Sequence, residues 1–535
     1  MISIDTETNW TDSEANRYPI GLSIFTDLGD SFYIPVAHTP YLEGLGVDPF
    51  NARLPYRFLE PCRGKVIVFH NAKFDLNQLQ KLVDIEPLYD SELYCTMVMG
   101  NIINENLGVG LDVMGQHYLG IGKRKDLSSQ FKKDEWHKIP PHIMAVYAER
   151  DTELTLKLYQ ALVPHFDDYT DYWKRERQFL FLLQRMETRG LPVDLEFCRE
   201  QSEACTAKME AVKEQLGFDP AKPSQLHERL FSPPPLGLDL KPSSYTPTGK
   251  PQVNDNYLAE LQHPIAGLIQ EYRGLGKAKS TYFEAYLHHA DSMTRLHATF
   301  KLWQTVTGRL SCANPNLQQI PREGNVKQSF SPEKGYELWE LDYSNIEYRL
   351  AAVYSGDQDL IARFEAGEDF HTMIAERLGI TRQVAKTVNF LTIYGGGVRA
   401  LKAALHCTEA EAKKIFATYW AGMKSLQDIM NSATNAAESN MRIKLWSGRY
   451  RHFEYTSECR KAFNSLVQGG AFEIVKSSML ELEKEGFDIR NQVHDSVWLM
   501  IKDPKTEVPR AQEIMSGWTK EAFGLTFTVD AKRLK

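Results

Sequence analysis

Two short stretches, far apart in the chain, restrict its fold more than any other feature. Leu338 to Arg349 reads LWELDYSNIEYR. The apolar run Leu338, Trp339, Leu341 predicts a strand that delivers Asp342 to its end. Ser344 and Glu347 then have the spacing of a capping box, and Ile346, Leu350 and Val353 fall on one helical face. Asn491 to Ile501 reads NQVHDSVWLMI, which predicts a hairpin with His494, Asp495 and Ser496 at the reversal. Two strands of one sheet bring Asp342 and Asp495 together. Carboxylates about 4 Å apart repel by roughly 4 kcal/mol at an effective dielectric of 20, so they stay ionised together only around cations. A carboxylate pair holding two Mg²⁺ ions suits in-line phosphoryl transfer.

Between them lies RQVAKTVNFLTIYGGG, in which Arg382, Lys386, Phe390 and Tyr394 recur every four residues. On a helix they form one slowly drifting stripe, ended by the glycines. Alone, the stripe is explained by an amphipathic helix with a basic edge. Beside a carboxylate pair, cations followed by aromatics suit a triphosphate at one end and a base and sugar at the other.

DYSNIEYR, RQVAKTVNFLTIYG and QVHDS resemble motifs A, B and C of family A DNA polymerases, in that order. TVTGRLSCANPNLQQIPR (Thr305 to Arg322) resembles the family's primer-template segment, and RKAFNSLVQGGAFEIVK (Arg460 to Lys476) the helix before motif C. The resemblance runs from about residue 180 to the C-terminus and is closest to the large fragment of bacterial DNA polymerase I. It implies a metal site of Asp342, Asp495 and the Tyr343 carbonyl. It further implies a phosphate-binding set of Arg382, Lys386 and His371, with Lys386 also the general acid on pyrophosphate. Phe390, Tyr394 and Glu347 would form the base and sugar pocket, Glu347 as a steric gate. Arg309, Asn316, Gln318, Arg460, Asn464, Gln468 and His494 would contact DNA, with Arg460, Asn464 and Gln468 on one helix face. The chain departs from the family at Ser496, where Glu is usual. With Asp342 and Asp495 present, a glutamate at 496 is expected to adjust local charge only, so Ser496→Glu should be tolerated.

The N-terminal region carries a separate carboxylate set. Asp5 and Glu7 lie two apart at the end of an opening strand and face the same way. A second strand, Val66 to Phe69, runs into His70 and Asn71, and the helix after it carries Asp75. A helix from Ile143 to Leu158 places Tyr147 and Asp151 four apart on one face. DTE, HNAKFD and YAERD resemble the three motifs of DEDDy 3′–5′ exonucleases. The implied metal ligands are Asp5, Glu7, Asp75 and Asp151, with Tyr147 orienting the attacking water, on a mixed sheet flanked by helices, similar to ribonuclease H.

The expected architecture is therefore α/β and α+β multidomain. A ribonuclease H-like exonuclease domain over 1–163 precedes a right-hand polymerase domain over 164–535. Within the latter, the thumb spans about 166–290, the palm about 291–356 and 456–535, and the fingers about 357–455. The stretch 219–256, rich in Pro, Ser and Gly, reads by composition as a linker or disordered loop and by resemblance as the thumb tip. The net charge of −8 argues against a DNA-coating protein, but not against an enzyme with a basic groove. Seven scattered cysteines without a CxxC pair suggest reduced thiols in a cytoplasm and no zinc site. No long apolar run or secretory leader is present. The expected cofactor is Mg²⁺, two per site, with Mn²⁺ as a substitute. The expected partners are primer-template DNA, deoxynucleoside triphosphates and a replication helicase-primase or processivity factor, acting on a monomer. No 5′-nuclease segment precedes the exonuclease stretch, which suggests a bacteriophage replicative polymerase in the host cytoplasm, with gap repair as the other role. A single-subunit RNA polymerase shares the palm, but Glu347 and Phe390 are the DNA polymerase choices. Intact carboxylates oppose a decayed, non-catalytic DNA-binding scaffold.

Overall fold

The computed structural model describes residues 1–9, 11, 17–39, 48–124 and 131–535. They divide into two compact units, one of residues 1–190, 298–319 and 332–535, the other of 191–297 and 320–331.

In the first unit, strand β1 (Ile2–Thr8) is central to a five-stranded sheet. It pairs antiparallel with β2 (Pro19–Thr26), which pairs with β3 (Ser31–Pro35), and parallel with β4 (Val66–Phe69), which pairs with β5 (Glu92–Cys95). This is the expected mixed sheet. Helix α1 (Ala72–Leu79) and the long α2 (Pro141–Leu162) flank it. The Ser3 hydroxyl donates to the Thr152 carbonyl at 2.7 Å, fixing α2 on β1.

Helix α3 (Thr170–Arg189), expected with the thumb, belongs to this unit. Its face of Phe179, Leu180 and Leu183 is fully buried, and Glu187 pairs with buried Lys73 of α1. That apolar stripe needs the first unit's core to cover it.

The second unit is helical. Helices α4 (Leu195–Leu216) and α5 (Pro264–Lys277) pack together, and α4 is capped by the Asp194 carboxylate, which accepts from the Phe197 amide at 3.0 Å. The stretch read by composition as a structureless linker contains a helix, Pro223–Phe231. Leu226 and Leu230 enter the unit's core, and Leu238 and Leu240 pack against it. Apolar anchors spaced among the prolines hold this chain down, which a count of Pro and Ser misses.

The remainder of the first unit is built on a four-stranded antiparallel sheet. Its strands are β6 (Glu337–Tyr343), β7 (Asp488–Val493), β8 (Ser496–Ile501) and β9 (Val529–Arg533), in the order β7-β8-β6-β9. Helices α9 (Ala462–Lys484) and α10 (Pro504–Phe523) pack beside it. The Tyr343 hydroxyl, on the sheet, donates to the Met515 carbonyl of α10 and lies 2.6 Å from Ser478 Oγ of α9. The intervening segment is helical and includes α6 (Ile346–Ser355), α7 (Phe370–Leu378) and α8 (Arg382–Ile393). None of the seven cysteines, all of them described residues, is in a disulfide. Among the described residues no helix is long and apolar enough to cross a membrane.

One buried ionic cluster joins α3 to α9. Lys476, 1% exposed, donates to Glu176, to Glu473 at 2.8 Å and to the Tyr172 hydroxyl at 3.0 Å. The two carboxylates raise the ammonium's pKa against the opposing effect of burial. Lys476→Met leaves both carboxylates buried without that cation, a loss of about 3–5 kcal/mol. The expected outcome is a clear fall in melting temperature by circular dichroism, partly recovered by Lys476→Arg. An unchanged melt would show that this pairing does not stabilise the fold.

Candidate active sites

The N-terminal sheet builds a carboxylate cavity of about 420 Å³, lined by Asp5, Glu7, Asp75, Tyr147 and Asp151 among others. Asp5 and Glu7 come from β1, Asp151 and Tyr147 from α2. Carboxylate oxygens of Asp5, Glu7 and Asp151 all lie within 4.8 Å of one another. Asp75 lines the same cavity but falls outside that trio. Its Oδ1 accepts from the Thr6 amide at 3.0 Å and the Thr6 hydroxyl at 2.7 Å, which holds it to β1. Tyr147 lies one helical turn before Asp151 on α2, and both line the cavity.

Burial dominates the electrostatics here. It pushes Glu7 up to about 8, with help from the Asp151 charge. It pushes Asp75 up to about 7 against the Thr6 hydrogen bonds. Asp5 is raised well above the usual carboxylate range by burial and by Asp75, Glu7 and Asp151. Asp151 Oδ1 is buried without a hydrogen-bond partner. An all-carboxylate donor set with an orphaned buried oxygen fits a hard divalent cation.

Sequence reasoning missed Lys123. Its ammonium pairs with Asp151 and lies 5.2 Å from the centre of the Tyr147 ring. In sequence it is one member of the run Lys123-Arg124-Lys125, which reads as a solvated basic turn. Only the fold carries it into the carboxylate cavity.

In the second site, β6 and β8 pair so that Asp342 lies opposite Ser496. The Tyr343 amide donates to the Asp495 carbonyl at 3.3 Å, locking the end of β6 to the hairpin tip. Asp342 is exposed and Asp495 half-buried, while His494 is exposed at the tip with φ of +54°. Arg349, 4% exposed, pins the turn after β6 through the Ser344 carbonyl (3.0 Å), the Thr526 carbonyl (2.8 Å) and the Thr528 hydroxyl (2.9 Å). Asp342, Asp495 and the Tyr343 backbone offer oxygen donors suited to the same class of ion.

The expected capping box is absent. Helix α6 starts after Asn345, which adopts a left-handed conformation and makes no side-chain cap. The Ser344 hydroxyl instead donates to Asp530. Glu347 accepts from the Tyr394 hydroxyl at 2.9 Å and pairs with Arg309. Arg309 also lies 3.5 Å from Asp495. Glu347 therefore ties α6 to the end of α8 and to the segment that carries Arg309.

Arg382, Lys386, Phe390 and Tyr394 are all exposed along α8 and its cap. The Phe390 and Tyr394 rings are 4.5 Å apart. Arg382 is held by Asp369 through two bonds of 2.9 and 3.2 Å. His371, expected to reach incoming phosphates, is buried instead, with Nδ1 3.2 Å from Asn389 Nδ2. It faces the helix interior because α7 packs on α8. Gln318 donates to Gln492 at 2.7 Å, and Gln492 in turn to the His494 carbonyl. Asn316 accepts from the Gln318 amide at 3.0 Å. Helix α9 begins at Ala462, so Arg460 lies in the preceding 3₁₀ turn, Thr456–Lys461. Of the three, only Asn464 and Gln468 share a helix face.

Residues 195–532 match the sequence model of DNA polymerase family A. The chain belongs to this family. Residues 1–167 match the model of a 3′–5′ exonuclease domain. A DNA polymerase I from Borreliella burgdorferi is 28% identical over 575 residues, 99% of this family A chain and 61% of the relative. Another from Pseudomonas aeruginosa is 29% identical over 556 residues, 95% of this chain and 60% of the relative. The chain thus spans about three fifths of the length of these curated relatives. Both are bacterial. The solved POL domain of Pol1 from M. smegmatis, in complex with DNA primer-template and dNTP, has the same fold. It matches with a TM-score of 0.79 at 22% identity, over 99% of this chain and 95% of that one.

The raised carboxyl groups couple stability to pH. Glu7 moves from an ordinary 4.5 to about 8. Between those values the folded chain binds more protons than the unfolded chain, so stability falls as pH rises. In chelated protein, Glu7→Gln is expected to melt close to the parent near pH 5 and above it near pH 8. A gap that does not grow with pH would show that burial of Glu7 is relieved in solution.

Proposed function

We propose that this family A chain extends a DNA primer along a template and edits the product with its N-terminal exonuclease site. The observation that carries the reading is the β6–β8 register, which sets Asp342 beside the hairpin tip of Asp495, with Arg309 reaching Asp495 and Glu347, and Glu347 in turn bonded to Tyr394 at the end of α8. The primer-template and dNTP bound to the Pol1 relative are the substrate class proposed here.

Asp342, Asp495 and the Tyr343 carbonyl would hold Mg²⁺, and Asp5, Glu7 and Asp151, with Asp75 beside them, would hold it in the editing site. Such ions activate the attacking oxygen and neutralise charge on the leaving one. The chain's own groups do the rest. Arg382 and Lys386 meet the triphosphate, and Lys386 is placed to protonate the leaving pyrophosphate. Arg382 must first leave Asp369. Phe390 and Tyr394 offer the base and sugar a flat apolar surface. Arg309, Asn464 and Gln468 border the same region and would contact the duplex. In the editing site, Tyr147 orients the attacking water, and Lys123 balances the carboxylate charge until the scissile phosphate and its cations enter.

Two experiments test this reading. Asp342→Ala or Asp495→Ala should abolish primer extension while degradation of single-stranded DNA continues, and Asp5→Ala should do the reverse. An Asp5→Ala protein that still removes a mismatched primer end at the parent rate would overturn the editing assignment. Glu347 has no capping role to lose, but it holds Arg309 and the Tyr394 hydroxyl, so Glu347→Ala should lower the melting temperature while the protein stays folded. On exonuclease-dead protein it should raise ribonucleotide use relative to deoxynucleotide by about tenfold or more. Unchanged sugar preference in single-nucleotide extension would remove Glu347 from the pocket.

A further inference from the structure

Ser496, the first residue of β8, is buried, 2% exposed. Its one hydroxyl hydrogen is shared between the Val493 carbonyl oxygen at 2.9 Å and Oε1 of Glu340 at 3.3 Å. The same oxygen accepts from the indole N–H of Trp498 at 3.2 Å, and Trp498 is fully buried. Glu340 lies two residues before Asp342 on β6, so both side chains stand on one face of the sheet. Its cross-strand neighbours are Trp498 on one side and Lys532 on the other. One carboxylate thus receives donors from two alternate residues of β8, the strand that begins immediately after Asp495.

We infer that Glu340 is a positioning residue for the polymerase site: it holds the start of β8, and with it Asp495, against β6 beside Asp342. The two bonds clamp β8 against β6 beside Asp342, and so set where Asp495 stands relative to it. A carboxylate–hydroxyl pair across two strands works in either order, so Ser at 496 is the complement of Glu at 340. It follows that Ser496→Glu alone is not tolerated, contrary to the expectation from sequence. The new carboxylate would meet Glu340 in a buried site, where like charges repel strongly.

The inference rests on the polymerase reading, and one set of proteins separates the two. Parent, Glu340→Ala, Ser496→Glu and the exchanged Glu340→Ser/Ser496→Glu protein are compared for primer extension across a Mg²⁺ titration. Exonuclease rate and melting temperature report on the fold. Glu340→Ala and Ser496→Glu should each lose about tenfold or more in extension and need more Mg²⁺ for half-maximal rate. Their degradation of single-stranded DNA should stay at the parent level. The exchanged protein should return to within about threefold of the parent in rate and Mg²⁺ requirement, a coupling that two independent defects would not show. Should Glu340→Ala fail to fold, the exchanged protein still decides. An exchanged protein no better than Ser496→Glu alone overturns the role of Glu340, as does a Glu340→Ala protein with the parent's rate and Mg²⁺ requirement. A parent that extends no primer overturns the polymerase reading instead.

Discussion

The pairing of β6 on both of its edges is the constraint on which the Asp342–Asp495 site depends. Asp342 stands opposite Ser496 on one side and opposite Asp530 on the other. A slip of one residue in either ladder would turn Asp342 into the helix-packed face and bring Leu341 out. The cost of that slip is set by Leu341, Val497 and Leu499, all fully buried on the opposite face. The apolar face therefore fixes the polar one. The Tyr343 hydroxyl, bonded to both α9 and α10, extends the same control to the helices behind the sheet. Lys476 of α9, buried with Glu176 and Glu473, carries it on to α3.

The parts of this arrangement that were legible in sequence are those with a short period. Alternating apolar residues announced β6 and the β7–β8 hairpin, and the fourfold repeat announced the exposed face of α8. DTE in β1 and the Tyr147–Asp151 spacing on α2 marked residues that the fold brings into one cavity, for the same reason. What failed depended on one backbone torsion or one long contact. Ser344 and Glu347 have capping-box spacing, but left-handed Asn345 changes the direction of entry, and Glu347 turns to Tyr394 and Arg309. Arg460 keeps the four-residue spacing with Asn464, yet the helix begins only at Ala462. His371 sits next to Phe370 in a helix whose inner face the sequence does not mark. Lys123 and Glu340 gave no local signal, because each acts on a residue that only the tertiary fold brings near.

The two carboxylate sites differ in a way that suits different substrates. Asp5, Glu7 and Asp151 converge in one cavity, burial raises the pKa of each, and the Lys123 ammonium pairs with Asp151. A divalent cation bound there would compete with protons for the same carboxylate oxygens. Asp342, by contrast, is exposed, and Arg309 lies against Asp495. A site of this kind binds a cation weakly until another oxygen donor completes the shell, since Mg²⁺ is commonly held by one or two carboxylates together with substrate phosphates. On the proposed reading the triphosphate brings that donor set with it, and the site assembles only when a nucleotide is present. The two carboxylate sites thus differ in burial more than in the chemistry of their ligands, with Glu7, Asp75 and Asp151 buried and Asp342 exposed.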